Sequence, residues 1–234
     1  MPKRKLQPNP ETPKPLLVRT AAKTLTISAA DFLPGHESLP SLRQASKGCR
    51  GCDLWKNATQ TVFGEGNPGS TVMMVGEQPG DKEDRAGRPF VGPAGALLDR
   101  ALEAAGIDRE RVYVTNAVKH FKWMARGRKR IHKKPSTREI AACRPWLDAE
   151  LRTVRPRIVV CLGSTAAQAL LGKDFKVTQQ RGELIEKDGI LFTATVHPSS
   201  ILRSPDDESR HAEMELFIRD LQRVAGILRE RKAA

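Results

Sequence analysis

Short apolar runs separated by amphipathic segments of helical period restrict this chain to an α/β fold. Ser70–Val75 (STVMMV), Val112–Val118 (VYVTNAV), Arg157–Leu162 (RIVVCL) and Ile190–Val196 (ILFTATV) read as buried strands. Strands of this kind need cover on both faces, which a parallel sheet between two helical layers provides. Between them, Ala94–Ala105 stops at Gly106, Thr137–Val154 opens on Ser136 with Glu139 following, and Thr165–Leu171 starts after Gly163-Ser164. These are helix signals, as is the long closing segment Glu208–Arg231. Leu39–Lys47 reads as an earlier helix, and Glu183–Glu186 as a further strand across a Lys187-Asp188-Gly189 turn. The expectation is a three-layer α/β/α fold around a central, mainly parallel four-stranded sheet.

At 234 residues the chain suits one such domain, expected over 38–234, behind a basic, proline-rich arm over 1–37. The arm reads as flexible apart from a short ordered piece around Thr24–Phe32. No apolar run approaches the roughly 18 residues that span a bilayer, so no membrane role is expected. The N-terminus lacks the apolar stretch of a secretory signal, and the expected location is the cytoplasm, at the nucleoid. Gly64–Gly69 (GEGNPG) has G-x-G-x-x-G spacing but precedes a strand, whereas the dinucleotide fingerprint follows one. It reads as a loop.

The formal net charge is +13, and its distribution is uneven. Lys119–Lys134 holds eight Lys or Arg residues and no acid, with aromatic and His residues interleaved. Residues 1–23 carry six basic residues against Glu11 alone. Such segments attract phosphate backbones by releasing counterions, which makes nucleic acid the first partner to consider; a solvated charged face is the alternative.

In an open parallel sheet, ligands bind beyond the carboxyl ends of the strands. There the chain places Glu77-Gln78-Pro79-Gly80-Asp81 with Asp84, then Asn116 with His120, then Gly163-Ser164, then His197-Pro198-Ser199-Ser200. Each has an ordinary structural explanation alone, but together they outline a site. The four cysteines lie at 49, 52, 143 and 161. Cys49-x-x-Cys52 is a ligand pair of the kind found at iron–sulfur or zinc centres, while Cys161 sits in an apolar strand as a small hydrophobe.

GEQPGDKEDRAGRPFVGPAGALL (76–98), VYVTNAVK (112–119), the strand ending in LGS (162–164) and HPSSILR (197–203) together resemble the uracil-DNA glycosylase superfamily, especially its iron–sulfur family-four branch. The match covers roughly 40–226. Gln78 in the first motif and the extended basic loop ARGRKRIHKKPS (125–136) depart from ordinary family-four enzymes and resemble the UdgX class, which stays covalently attached to DNA after excising uracil.

The resemblance implies a [4Fe–4S] cluster. In family-four proteins a cysteine follows the second strand as VVKC, where this chain reads Ala117-Val118-Lys119-His120. The implied ligands are therefore Cys49, Cys52, His120 and Cys143, with a zinc site on the same residues as the alternative. The implied substrate is uracil in DNA, preferably single-stranded, acted on by a monomer. Phe90 would stack on the flipped base, Asn116 and Gln78 would read it, and His197 would stabilise the departing anion. Glu77 would support the sugar cation or orient a nucleophile, with Asp81 and Asp84 shaping the same loop. His132 would attack C1′ and stay bonded to it. Arg128, Lys129, Arg130, Lys133, Lys134, Ser199, Ser200 and Arg203 would hold the DNA backbone, with Ile201 or Leu202 as a wedge. Two alternatives stand beside this reading: a conventional multiple-turnover glycosylase in which His132 only contacts phosphate, and a non-catalytic iron–sulfur DNA-binding protein.

Overall fold

The computed structural model of the chain describes residues 27–230; the expected arm lies largely outside them, over 1–26. Ser28 caps a 3-10 turn over Ala29–Phe32, and Ala29 is fully buried against the core. Helix α1 (Leu39–Ser46) follows, with a capping box from Ser38.

The sheet grows from β1 (Val72–Gly76). Helices α2 (Asp81–Ala86) and α3 (Pro93–Ala105) then lead to β2 (Val112–Asn116), which pairs parallel to β1. Proline at the start of α3 and left-handed Gly106 at its end bound the helix as the sequence implied. The chain next forms a separate antiparallel hairpin, β3 (Trp123–Arg126) and β4 (Lys129–His132). Helix α4 (Thr137–Val154) starts on a capping box between Ser136 and Glu139. Strand β5 (Ile158–Leu162), helix α5 (Ser164–Leu171), the short α6 (Val177–Gln180), β6 (Ile185–Lys187) and β7 (Ile190–Thr195) complete the sheet. A single turn of helix, α7 (Pro198–Ile201), and the long α8 (Asp207–Glu230) close the described chain.

The strand order is β2-β1-β5-β7-β6. The sheet has five strands rather than the expected four, because β6 pairs antiparallel to β7 as an edge strand. Alternate residues bury on opposite faces. Val72, Met74, Val112, Val114, Ile158 and Val160 pack under α3 and α8. Met73, Val75, Tyr113, Val159 and Cys161 face α1, α4 and α5. The apolar runs carry no polar side because neither face meets water. From β1 the chain first goes outward to β2 and then returns past β1 to β5. That switch point opens a crevice at the carboxyl edge, between the ends of β1 and β5.

The basic loop anticipated over 125–136 is thus largely a hairpin. Gly127, with φ at 59°, and Arg128 form a two-residue turn of the kind that suits tight hairpins. One face of the ribbon carries Trp123, Arg130 and His132; the other carries Met124, Ile131, Arg126 and Lys129.

Candidate active site

The carboxyl ends of β1, β2, β5 and β7 surround a cleft of about 640 Å³. Gly76, the last residue of β1, lies against three of its lining residues. A methyl group there would overlap Asn116 Oδ1 and come within 2.9 Å of Phe90 Cζ and 3.4 Å of His197 Nε2. Asn116, Phe90 and His197, distant in sequence, therefore share one slot. The Phe90 and His197 rings lie 6.2 Å apart with 27° between their planes. Phe90 is held at φ 56°, in the left-handed region that costs a non-glycine residue about 1 kcal/mol or more. The backbone of Gly95 packs directly against its carbonyl and leaves no room for a side chain.

Asn116 is 3% exposed, and its Oδ1 has no hydrogen-bond partner among the described residues. A buried, unmet acceptor costs about 1–3 kcal/mol unless something supplies a donor. His197 presents the complementary group. Its Nδ1 accepts from the Ser199 backbone N–H at 3.1 Å, which places the ring proton on Nε2, the atom facing the slot. Enclosure, with Arg203 and His132 adding positive charge nearby, pushes its pKa down to about 4, so the ring is neutral near pH 7.

The hairpin delivers His132 to the same cleft. Its Nε2 lies 3.3 Å from Glu77 Oε1, and half of its side chain stays exposed at the mouth. The other carboxylate oxygen, Oε2, accepts from Thr165 Oγ1 in the first turn of α5. Burial lowers the His132 pKa, Glu77 opposes that shift and Arg203 reinforces it.

Gln78, Asp81 and Asp84 turn out to hold the hairpin in place. Gln78 Nε2 donates to the Lys122 and Lys133 carbonyls at 3.1 Å each, and its Oε1 accepts from Lys122 N at 3.0 Å. One buried amide therefore ties both strands at their roots. Arg130 pairs with Asp81 at 2.5 Å and Asp84 at 2.6 Å, and its guanidinium lies over Phe121 and Trp123. Asp84 is fully buried and also accepts from Thr59 N. Arg130, expected on the DNA backbone, is 15% exposed and already engaged.

The basic run divides in the same way. Lys119 is fully buried, 2.5 Å from Glu150, and also donates to Thr115 Oγ1 and the Asn116 carbonyl. Glu150 further accepts from Tyr113 and Gly64. Lys122 pairs with Glu139 at 2.7 Å. Arg126, Arg128, Lys129, Lys133 and Lys134 remain exposed, with Lys134 and Arg203 on the cleft rim. The Ser199 hydroxyl lies 2.8 Å from His197 Nδ1 and the Ser200 hydroxyl donates to the His197 carbonyl, so both support His197. Ile201 is 1% exposed and belongs to the core, which leaves Leu202, 37% exposed, as the outward residue of that turn. Sequence reasoning missed Thr165, the Lys119–Glu150 pair and Glu83, whose carboxylate accepts from Gly80 N and Gly92 N and shapes the loop behind Phe90.

Cys49 and Cys143 are buried and Cys52 half-buried in the core layer beside α1 and α4, near enough for their thiols to act on one another electrostatically, and the Lys119 N–H donates to Cys143 Sγ at 3.3 Å. His120 is buried, with Nε2 2.9 Å from Thr61 Oγ1. Among the described residues, no group of three or more His, Cys, Asp or Glu side chains converges on one point as a single metal ion requires. A [4Fe–4S] cluster takes each ligand on a different iron, so its ligands need no common point. Cys161 is fully buried within β5 as a small apolar residue, as the sequence indicated.

Residues 63–222 match the model of the uracil DNA glycosylase superfamily. A type-4 uracil-DNA glycosylase of Thermotoga maritima is 38% identical over 77% of this chain and 91% of its own length. One of Sulfurisphaera tokodaii is 37% identical over 73% of the chain and 78% of its own. A type-5 uracil-DNA glycosylase of Pyrobaculum aerophilum is 32% identical over 70% and 76%. With its slot, its carboxyl-edge cleft and a family match across most of its length, the chain belongs to the uracil DNA glycosylase superfamily.

Proposed function

We propose that this chain excises uracil from DNA, as a repair glycosylase. The observation that carries the proposal is the slot over Gly76, where an unmet Asn116 acceptor, a neutral His197 Nε2–H donor and the Phe90 ring converge. A uracil turned out of the stack offers the matching groups: an N3–H for Asn116 Oδ1, a carbonyl for His197 and a π-face for Phe90. Cytosine has no N3–H, so the same slot disfavours it. As the C1′–N1 bond breaks, both electrons move onto the base, and the His197 N–H stabilises the resulting anion. The Glu77 carboxylate faces the positive charge left on the sugar. The exposed cations Arg128, Lys129, Lys133, Lys134 and Arg203 hold flanking phosphates, preferably of single-stranded DNA.

In the finer reading, of the UdgX type, His132 captures the sugar. The lone pair of its neutral ring adds to C1′, and the imidazolium then passes its N–H proton to Glu77, giving a C1′–N bond and one turnover per molecule. The 3.3 Å approach of His132 to Glu77 and the lowered His132 pKa support this reading. A conventional glycosylase, in which Glu77 directs water to C1′, is the second reading; the similarity to type-4 enzymes favours it.

The donor set of Cys49, Cys52, Cys143 and His120 suits a [4Fe–4S] cluster, with the three thiols in one layer of the core and His120 keeping Nδ1 free of the Thr61 contact. Such a cluster would tie the N-terminal segment and the root of the hairpin to the sheet. The test of uracil excision is direct: incubate the protein with matched oligonucleotides carrying uracil or cytosine and assay the free base by mass spectrometry. Uracil alone should be released; no free uracil at any protein concentration overturns the proposal.

A further inference from the structure

Glu77 is held at one oxygen only. Oε2 accepts from the Thr165 hydroxyl, while Oε1 is turned toward His132 and the cleft. Among the described residues, no other side chain or backbone group donates to Oε2. Thr165 is 4% exposed and stands in the first turn of α5, just after Gly163, whose φ of 89° directs the chain from β5 into the helix. The carboxylate therefore rests at the positive end of the α5 dipole, with a hydroxyl fixing its rotation.

We infer that Thr165 is the positioning residue of this site: it locks the rotamer of Glu77 so that Oε1, and not the freely turning carboxylate, faces His132 and the reacting sugar. The inference rests on the proposed glycosylase reading, though the Thr165–Glu77 contact can be tested without it. A free glutamate samples several χ rotamers, and only a fraction of them would point an oxygen at the nucleophile. The hydroxyl removes that averaging. A methyl group of the same size would fill the space and leave Oε2 without a donor. Thr165→Ser keeps the hydroxyl, Thr165→Val keeps the shape.

The titratable and charged groups around the His132 ring are Glu77 just past β1, Arg203 beyond α7, neutral His197 and Lys134 on the rim. Of these, only Glu77 raises the His132 pKa. If Thr165 aims Glu77 at that ring, Thr165→Val lets the carboxylate swing away and the His132 titration moves to lower pH. Thr165→Ser restores it.

The experiment is an NMR titration of the His132 ring in the full-length protein and both variants, beside single-turnover uracil release on a single-stranded oligonucleotide. Expected are a downward shift of the His132 midpoint and a tenfold to hundredfold slower release in Thr165→Val, as losing a hydrogen bond to a charged group implies by about that factor, both recovered in Thr165→Ser. An unmoved or upward-shifted midpoint in Thr165→Val, with the fold intact by its amide spectrum, overturns the inference. If the unmutated protein releases no uracil, the glycosylase reading fails, while the ring titration still decides whether Thr165 aims Glu77.

Discussion

Gly76→Ala places one methyl group at the centre of the proposed base slot. The backbone tolerates it, because Gly76 is not among the residues at positive φ and ends an ordinary strand. The added carbon, however, would overlap Asn116 Oδ1 and lie 2.9 Å from Phe90 Cζ, well inside van der Waals contact. Asn116 accepts from Lys119 through its carbonyl, and the Phe90 backbone packs tightly against Gly95, so neither withdraws easily. Relief requires a displacement of roughly 1 Å of the base or its readers, and misplacement on that scale costs about 100-fold in rate. Overpacking of this kind destabilises by about 1–3 kcal/mol, small enough for the domain to stay folded. The assay is single-turnover uracil release at saturating protein, with a urea melt as the control for folding. Release within threefold of the unmutated chain, from a protein that melts normally, would refute the assignment of the base to this slot.

Other consequences are separately measurable. Arg130→Ala removes the cation that Asp81 and Asp84 hold, and leaves Asp84 buried with only the Thr59 N–H. The hairpin should loosen, seen as faster amide exchange over 123–132, with capture by His132 more impaired than uracil release. Lys119→Met strands the Glu150 carboxylate in the core; breaking one side of such a pair costs about 3–5 kcal/mol, which a urea melt would register. His197 is buried neutral, with its pKa lowered from an ordinary 6.5 to about 4. The unfolded chain takes up that proton first, so stability present above pH 6.5 should decline as pH falls toward 4, and denaturant melts at pH 7 and pH 5 should show the loss. His120→Ala should weaken the visible absorption of the proposed iron–sulfur cluster, and an unchanged spectrum and iron content would remove His120 from the ligand set.

The sheet and its helices were legible because their burial is written as period. Runs such as RIVVCL have no polar face and lie where no polar face is allowed. The polar groups at the four strand ends were legible for the same reason, since locating a strand locates the residues just beyond its carboxyl end. The fifth strand was not counted into the sheet because Ile185–Lys187 is short and mostly exposed, with little apolar pattern to count. The hairpin was hidden by its charge. Arg130 and Lys129 are adjacent and both cationic, yet strand alternation turns Arg130 inward to two aspartates and Lys129 outward to solvent. Reading 119–134 as one basic surface averaged over that alternation. Lys119 belongs to the core and Arg130 to the scaffold, which no count of charges reveals. The role of Gln78 was obscured similarly: its place in the first motif pointed to the base, whereas its amide reaches backbone groups 44 and 55 residues further along the chain. Thr165 carried no signal beyond its position after Gly163-Ser164, because its partner is 88 residues away.

Capture of the sugar by His132 is tested most directly on a denaturing gel. The full-length protein and its His132→Ser variant are each incubated with an end-labelled single-stranded oligonucleotide containing one uracil, and then denatured before electrophoresis. The expected result is a slow, protein-linked DNA band for the unmutated chain, and free abasic DNA without that band for His132→Ser. A linked band that persists in His132→Ser, or abasic DNA with no linked band from the unmutated chain, would contradict capture by His132, and intact uracil-containing DNA in both lanes would contradict the glycosylase itself.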